Sequence, residues 1–275
     1  MKITVAIDWS DQDFDALTQA VQLYHPTEVT LVHAVDVSLY FEQEIAVDHE
    51  IDRGGQLLDR AAKMVPAEVK TVRKIIEVRS PAQLILESAD HVAAELVVVG
   101  TRGRGRLAQA FLGSVSNRVL LHNTRSTLVV KGAARKVQRV LVAIEGLDDG
   151  NCIAQWLTKH PFNDPVDLCV LSAVVPIEVK RAPQDARGTK GLQEGARRKA
   201  EEIVKMTAST LSSTQYTVST RIAVGKPAAV IQQEAQDMDL VVVSSHGRKG
   251  LTRFLMGSIS HAVVHDVTCP VLIVR

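Results

Sequence analysis

The sequence predicts two tandem α/β domains, each a doubly wound parallel sheet with helices on both faces. Three observations predict this architecture. Short, almost continuously apolar segments alternate with segments of helical period, a pattern typical of parallel strands that are buried on both faces. The stretch VVVGTRGRGRLAQAFLGSVS at 97–116 recurs at 241–260 as VVVSSHGRKGLTRFLMGSIS. The 275 residues also suffice for two domains of ordinary size, each with its own core.

Five apolar strands are predicted in each half, in the same order. The segments that correspond are 2–8 with 139–145, 30–36 with 169–175, 78–85 with 224–231, 97–116 with 241–260, and 126–131 with 269–275. The segment 131–138 consists of polar and small residues and is predicted as the linker. It divides the chain into domains of 1–132 and 138–275.

Helical periodicity between the strands places apolar residues on one face of each predicted helix. In the first half these residues are Ala16, Ala20, Leu23 and Tyr24, then Leu57, Leu58, Ala61, Ala62 and Val65, then Leu84, Ile85, Ser88, Ala89 and Val92. Two polar stretches, 38–55 and 176–195, differ between the halves. They are predicted as long loops that lead into helices.

Composition excludes several classes of partner. Lys and Arg total 32 against 31 Asp and Glu, so no net positive field draws the chain to nucleic acid or to an anionic membrane. No apolar run reaches the roughly 18 residues of a membrane span, and residues 1–10 lack the features of a signal peptide. A soluble, cytoplasmic protein is therefore expected. Its cysteines, Cys152, Cys169 and Cys269, lack CxxC spacing and are predicted as packing thiols.

A glycine-bearing loop after the fourth strand predicts an anion site. Gly100 and Gly103 have no Cβ and can take positive φ, so their amides can approach an anion closely. Gly113 and Ser114 precede a predicted helix whose first amides and positive dipole end would face the same anion. Positive charge is added by Arg102, Arg104 and Arg106. An ordinary strand-to-helix turn with a serine cap is the alternative, but recurrence of the pattern favours the anion site.

Other chemistry fits these residues less well. The loop is neither GxxxxGK followed by Ser or Thr nor GxGxxG. His261 and His265 are four residues apart on a predicted helix but lack an acidic ligand, so no metal site is predicted. Ser114 and Ser116 lie in GSVS rather than GxSxG, which favours hydrogen-bond donors or caps over nucleophiles. The arginine run at 102–106 is short and lacks aromatic neighbours, unlike a nucleic-acid patch.

The motifs together resemble the universal stress protein family. They are VAID at 5–8, VHAV at 32–35, G-x2-G-x9-G-S after the fourth strand, and a short closing strand. The resemblance covers nearly the whole chain as a tandem pair. It implies five-stranded sheets in the order 3-2-1-4-5, binding of ATP or AMP, and pairing of the two domains through their fifth strands. The chain would then form a pseudo-dimer within itself, and the sequence leaves open whether whole chains pair further as a homodimer.

The resemblance also implies a set of binding residues, which lie where strands 1 and 4 are neighbours and their connections diverge. Asp8 and backbone groups near Ala6 and Ala34 would hold adenine and ribose, and Val99 would line the pocket. The phosphate-binding residues would be Gly100, Gly103, Gly113, Ser114, Val115 and Ser116, with Arg102 beside them. A cap or turn ahead of the first helix is the alternative role for Asp8.

The second half departs from this pattern. Ser244 stands in place of Gly100, Glu145 in place of Asp8, and Ser172 in place of His33. A weaker second site is therefore predicted. Its residues would be Glu145, Ser244, Gly247, Gly257 and Ser258. Because serine lacks the conformational freedom of glycine and fills space, the first half is predicted to bind nucleotide more tightly.

Three functions are consistent with these residues. The first is a stress-response regulatory protein that binds ATP or AMP, with or without Mg²⁺. The second is an adenylating or weakly ATP-hydrolysing enzyme, although residues 8–13 (DWSDQD) lack the glycines of an SGGxDS loop. The third is a scaffold with vestigial pockets, which the intact glycine pattern of the first half disfavours. The physiological signal and any protein partners are left open.

Overall fold

The computed structural model describes residues 1–9, 11–36, 45–101, 112–177, 186–212, 216–245 and 256–275. Strand and helix alternate through the first half, as the periodicity predicts. The first-half elements are β1 Lys2–Ala6, α1 Asp11–Leu23, β2 Glu28–Val35, α2 Ile45–Ala62, β3 Thr71–Val78, α3 Pro81–His91, β4 Leu96–Gly100, α4 Ser114–His122 and β5 Ser126–Val130.

The second half repeats the series. Its elements are β6 Arg139–Ala143, α5 Leu147–Lys159, β7 Asp167–Val174, α6 Ala186–Leu211, β8 Thr217–Val224, α7 Pro227–Glu234, β9 Leu240–Ser244, α8 Ser258–Asp266 and β10 Val271–Val274. A short 3₁₀ turn, Ala235–Asp237, follows α7. The repeat seen in the sequence is therefore a repeat of the fold.

All ten strands form one sheet in the order β3-β2-β1-β4-β5-β10-β9-β6-β7-β8. Within each half the neighbours are parallel, and the order is 3-2-1-4-5, as predicted. The halves join where β5 and β10 pair antiparallel, with Leu128 opposite Leu272. These two leucines occupy the same position in the repeat, so a pseudo-twofold axis passes between them.

Each face of the sheet carries one apolar core that extends across both halves. One core lies under α1, α2, α5 and α6, and the other lies under α3, α4, α7 and α8. The predicted inward faces are confirmed, since Ala16, Ala20, Leu57 and Leu58 are all buried. At the junction the rings of Tyr24 and Phe162, from opposite halves, lie 5.6 Å apart. Apolar burial therefore holds the halves together on both faces of the sheet.

Each half also caps a helix of the other half. Lys131, which follows β5, donates from Nζ to the carbonyl oxygens of Val264 and Val267 at 2.5 Å, at the end of α8. Arg275, which follows β10, donates from Nη2 to the carbonyl oxygen of Leu120 at 2.8 Å, in the last turn of α4. A cation at a helix C-terminus meets both the unpaired carbonyls and the negative dipole end.

The stretches 38–55 and 176–195 correct the sequence-based expectation of long loops. Residues 45–55 and 186–195 are helical, as the first turns of α2 and α6. Within α2, Gly54 allows close packing. A Cβ at Gly54 would lie 2.6 Å from His33 Cδ2 and 2.4 Å from Ile76 Cδ1. In the second half, the residue of α6 that corresponds to Gly54 is Ala200, because each lies the same distance before the strand that follows its helix, β3 or β8. The residue that corresponds to His33 is Ser172.

Two further features bear on the class of protein. Among the residues that the structure describes, no helix is both long enough and apolar enough to cross a bilayer. Burial raises the pKa of the Cys152, Cys169 and Cys269 thiols. A raised pKa disfavours the reactive thiolate, in keeping with a packing role.

Gly54→Ala is expected to destabilise the protein by about 1–3 kcal/mol, because the added methyl group meets His33 and Ile76. Gly55→Ala is the matched control, since a Cβ at that position meets nothing within 4 Å. It is expected to stabilise α2 by about 0.5–1 kcal/mol. Urea unfolding followed by circular dichroism measures both changes, and similar effects of the two substitutions would contradict the packing described at Gly54.

Lys131 is expected to make stability rise with pH in the alkaline range. Burial lowers the pKa of its ammonium from 10.5 to about 8. Between these values the folded chain has released the proton while the unfolded chain keeps it, so stability rises with pH. Because the group is partly exposed, we expect wild type to gain only about 1 kcal/mol over Lys131→Met between pH 7 and 9.5. Urea unfolding at both pH values measures this gain, and a constant difference between the two proteins would contradict it.

Candidate functional site

The candidate site lies at the carboxyl ends of β1 and β4. These strands are parallel neighbours, with Ile3 opposite Leu96 and Val5 opposite Val98. The chain leaves β1 toward β2 on one side and leaves β4 toward β5 on the other. A crevice forms where such connections diverge, and open α/β sheets bind ligands there.

The first turn of α4 is fastened to the end of β4. The hydroxyl of Ser116 donates to the carbonyl oxygen of Gly100 at 2.6 Å, and the bond is buried. The amide of Gly113 donates to the carbonyl oxygen of Thr101 at 2.7 Å. Together these bonds hold the N-terminus of α4 over the end of its preceding strand. Ser116 is thus a fixed structural link rather than an exposed nucleophile.

The N-terminus of α4 offers backbone donors suited to an anion. Its N-cap, Gly113, is extended at φ −62° and ψ 157°, and no side chain of the described residues caps it. The first helical bond runs from the Asn117 amide to the Gly113 carbonyl oxygen at 2.9 Å. The amides of Ser114, Val115 and Ser116 precede that bond and lie at the positive end of the helix dipole. A phosphate group fits this donor set.

A cluster of side chains orders the loop after β1. The buried ring of His33 donates from Nδ1 to the carbonyl oxygen of Ile7 at 2.8 Å. The Asp8 carboxylate accepts the Trp9 amide at 2.8 Å. The guanidinium of Arg53 lies 4.6 Å from the centre of the Trp9 ring. Contacts from β2 and α2 therefore fix the backbone on both sides of Asp8, which is half-buried at the end of β1.

Five more residues of the first half were predicted to belong to the site: Ala6, Ala34, Val99, Arg102 and Gly103. Ala6 and Ala34 are half-buried near the carboxyl ends of β1 and β2, beside the crevice. Val99 is 1% exposed and packs in the core with α3 and α4, next to the last residue of β4. Arg102 and Gly103 lie outside the described residues.

Gly100 differs from the sequence-based expectation in its backbone. It is the last residue of β4 and pairs with Val130, so it continues the strand and does not adopt the positive φ that glycine allows. Among the described residues, Gly132, Gly225 and Ala93 have positive φ. The contribution of Gly100 is the missing Cβ, which leaves the strand end open to close approach.

The second half repeats the fastening of the helix but not the floor of the crevice. Ser260 donates to the Ser244 carbonyl oxygen at 2.7 Å, as Ser116 does to Gly100. Gly257 is again an extended N-cap, and Ser258 is exposed in the first turn of α8. Gly247 lies outside the described residues.

The floor of the second crevice contains a buried carboxylate. Asp149, in the first turn of α5, accepts the Ser244 hydroxyl at 2.6 Å through Oδ1. Its Oδ2 accepts the amide of Glu145 at 3.1 Å. The Asp149 side chain thus fills the gap between the ends of β6 and β9, which pair as neighbours.

The sequence alone does not indicate the roles of Trp9, Arg53 and Asp149. Their roles depend on contacts between elements far apart in sequence, such as α2 with the end of β1. One signal was available, because the serine at 244 in place of glycine requires a partner for its hydroxyl once buried. Nothing local in the sequence identifies that partner as Asp149.

His261 and His265 lie at the junction between the halves. Their rings are 4.5 Å apart. His261 Nε2 lies 3.3 Å from Asn117 Oδ1, and these residues correspond in the repeat. No group of three or more His, Cys, Asp or Glu side chains suited to a metal occurs in the part of the chain that the structure describes.

The repeated strand order defines a tandem, doubly wound α/β protein. Residues 1–131 and 136–275 each match the model of the universal stress protein family. The chain belongs to the universal stress protein family, which confirms the resemblance seen in the sequence.

Relatives cover both halves. Universal stress protein Rv2005c of Mycobacterium tuberculosis is 30% identical over 243 residues, which cover 82% of this chain and 77% of that protein. A universal stress protein of Mycolicibacterium smegmatis is 28% identical and covers 99% of this chain and 96% of its own length. The crystal structure of a universal stress protein from Archaeoglobus fulgidus matches 100% of this chain and 96% of its own, with a TM-score of 0.65 at 17% identity. That likeness supports the fold.

Ser116→Ala and Ser260→Ala are expected to destabilise the protein by about 1 kcal/mol each, because each removes a buried hydrogen bond to a strand carbonyl. Equal losses follow from the equivalent geometry of the two fastenings. Urea unfolding measures them. A loss from one substitution and none from the other would show that the two helices are held differently.

Proposed function

We propose that the protein is a regulatory module that binds an adenine nucleotide, ATP or AMP, in its first half. The observation that carries this proposal is the N-terminus of α4, where successive amides are fastened over the end of β4 beside a topological switch point. Such a donor set suits the phosphates of a nucleotide. The preference for adenine follows from the family resemblance.

The other end of the crevice supports a nucleoside. Asp8 is half-buried at the end of β1, and a carboxylate at such a position accepts hydrogen bonds from ribose hydroxyls. His33 and Arg53 hold the backbone around it from β2 and α2. Asp8 and the first turn of α4 would therefore contact opposite ends of one ligand, with Ala6 at the end of β1 and Ala34 on β2, on the side of β1 away from β4.

The phosphates of the nucleotide would carry the negative charge that the amides at the N-terminus of α4 bind. Ser114, Val115 and Ser116 would donate through their backbone, and Arg102 and Gly103 are proposed to complete the phosphate site. A bound Mg²⁺ would have to be held chiefly by the phosphates. The weaker second site of the proposal comprises Glu145, Ser244, Gly247, Gly257 and Ser258.

Regulation requires that nucleotide binding in the crevice change another surface of the protein. The helix α4 could transmit such a change, because it extends from the crevice to the junction between the halves. Its first turn would touch the phosphates, while its last turn accepts Arg275 from the other half. Between them Asn117 lies against His261 of α8. A shift of α4 on nucleotide binding would therefore alter its contacts with the other half at the junction.

Titration calorimetry of the full chain with ATP and with AMP tests the proposal. We expect one of them to bind with micromolar to submillimolar affinity and to change the fluorescence of Trp9, which adjoins Asp8. Absence of binding at millimolar concentrations of both nucleotides would reject it. Release of ADP or of an adenylated product during the titration would instead favour the enzymatic alternative.

Gly113→Val is expected to weaken nucleotide binding at least tenfold, because a branched side chain would stand against the phosphates. Valine readily adopts the φ and ψ of Gly113, so the backbone need not change. Gly195→Val in α6 makes the same substitution at an exposed glycine away from the crevice and is expected to bind as wild type does. Calorimetry on both variants, after circular dichroism has verified folding, measures the difference. Unchanged affinity in Gly113→Val would remove this loop from the site.

A further inference from the structure

The second crevice holds a carboxylate of the chain itself. Asp149 is 8% exposed and bridges the two strands that flank the crevice, through Ser244 on β9 and the amide after β6. Both of its oxygens are engaged by donors. A buried carboxylate held by two donors on separate elements is a fixed negative charge rather than a mobile surface group.

The first half has no such charge at the matching position in its sequence. When the repeat is aligned on Ala6 and Ala143, the counterpart of Asp149 is Gln12, an uncharged residue. The counterpart of Ser244 is Gly100, which has no side chain to donate. At the matching positions of the first-half sequence the hydroxyl and the carboxylate that meet in the second half are thus both replaced.

The helix ends do not account for a difference between the halves. Gly113 and Gly257 are both extended, at ψ 157° and 149°, and no described side chain caps either helix. Ser114 and Ser258 are both exposed in the first turn. The backbone donors at the two helix N-termini are therefore equally well formed, and among the described residues the difference lies in the crevice floor.

We infer that Asp149 is a built-in anion that closes the second crevice and restricts nucleotide binding to the first half. Its carboxylate accepts hydrogen bonds from the Glu145 amide and the Ser244 hydroxyl. The same negative charge repels a nucleotide phosphate that approaches these strand ends. This inference rests on the proposed function. It also goes further, because it assigns specificity between the halves to one buried hydrogen-bonded pair.

The test uses a full chain in which the first site is blocked by Gly113→Val. Into this background Asp149→Gln and Ser244→Gly are introduced together, which restores the residues of the first half. With ATP as the probe, calorimetry is expected to show one nucleotide per wild-type chain and binding at least tenfold weaker in the blocked chain. The triple variant is expected to regain one ATP per chain, at least tenfold more tightly than the blocked chain.

Two further variants keep the outcome interpretable. Asp148→Asn in the blocked chain removes a charge from the neighbouring exposed residue of α5 and is expected to regain nothing. Asp149→Asn keeps the shape of the side chain and removes its charge, so it tests the inference even if the triple variant fails to fold. In the blocked chain, Asp149→Asn is expected to recover part of the ATP binding.

The outcomes separate the two proposals. One ATP bound by wild type, with no recovery in folded Asp149 variants, overturns the role of Asp149 and leaves the proposed function standing. Binding of two ATP per wild-type chain would likewise overturn the role of Asp149 and leave the proposed function standing. If neither wild type nor the Asp149 variants bind ATP or AMP, both proposals fail. Recovery in the Asp149 variants but not in Asp148→Asn supports the inference.

Discussion

The antiparallel pairing of β5 with β10 is the interaction on which the rest of the structure depends. Every residue of these two strands is buried. In a half alone they would form an apolar sheet edge with unpaired backbone groups, a surface that invites aggregation. Pairing converts two such edges into the centre of a ten-stranded sheet and makes each core continuous across the chain.

This pairing also determines how the two crevices relate. Because the pseudo-twofold axis passes between Leu128 and Leu272, α4 and α8 lie side by side across it, and Asn117 meets His261. Lys131 and Arg275 extend from the ends of the paired strands to the last turns of the opposite helices. Each of these two helices thus begins beside the end of its own preceding strand and ends in contact with the other half.

The two halves have diverged through paired changes rather than isolated ones. His33 fits beside Gly54 because that glycine has no Cβ, whereas the second half combines Ser172 with Ala200. Ser244 replaces Gly100, and its hydroxyl is satisfied by Asp149. In each case a side chain added at one position is matched at a neighbouring one, as close packing and the satisfaction of buried polar groups require. The fold is preserved while the crevice floors become chemically different.

The duplication, the class of fold and a helix that follows Gly113 could all be predicted from the sequence alone. These features depend on local patterns, namely apolar runs, helical period and the glycine before the helix. The prediction was wrong at 45–55 and 186–195, where polar residues that differ between the halves indicated loops. Only the tertiary structure decided that Gly54 serves packing, that Trp9 and Arg53 brace Asp8, and that Asp149 reaches Ser244 across 95 residues of sequence. The physical reason is that such contacts join elements brought together by strand order, which no local period of the sequence encodes.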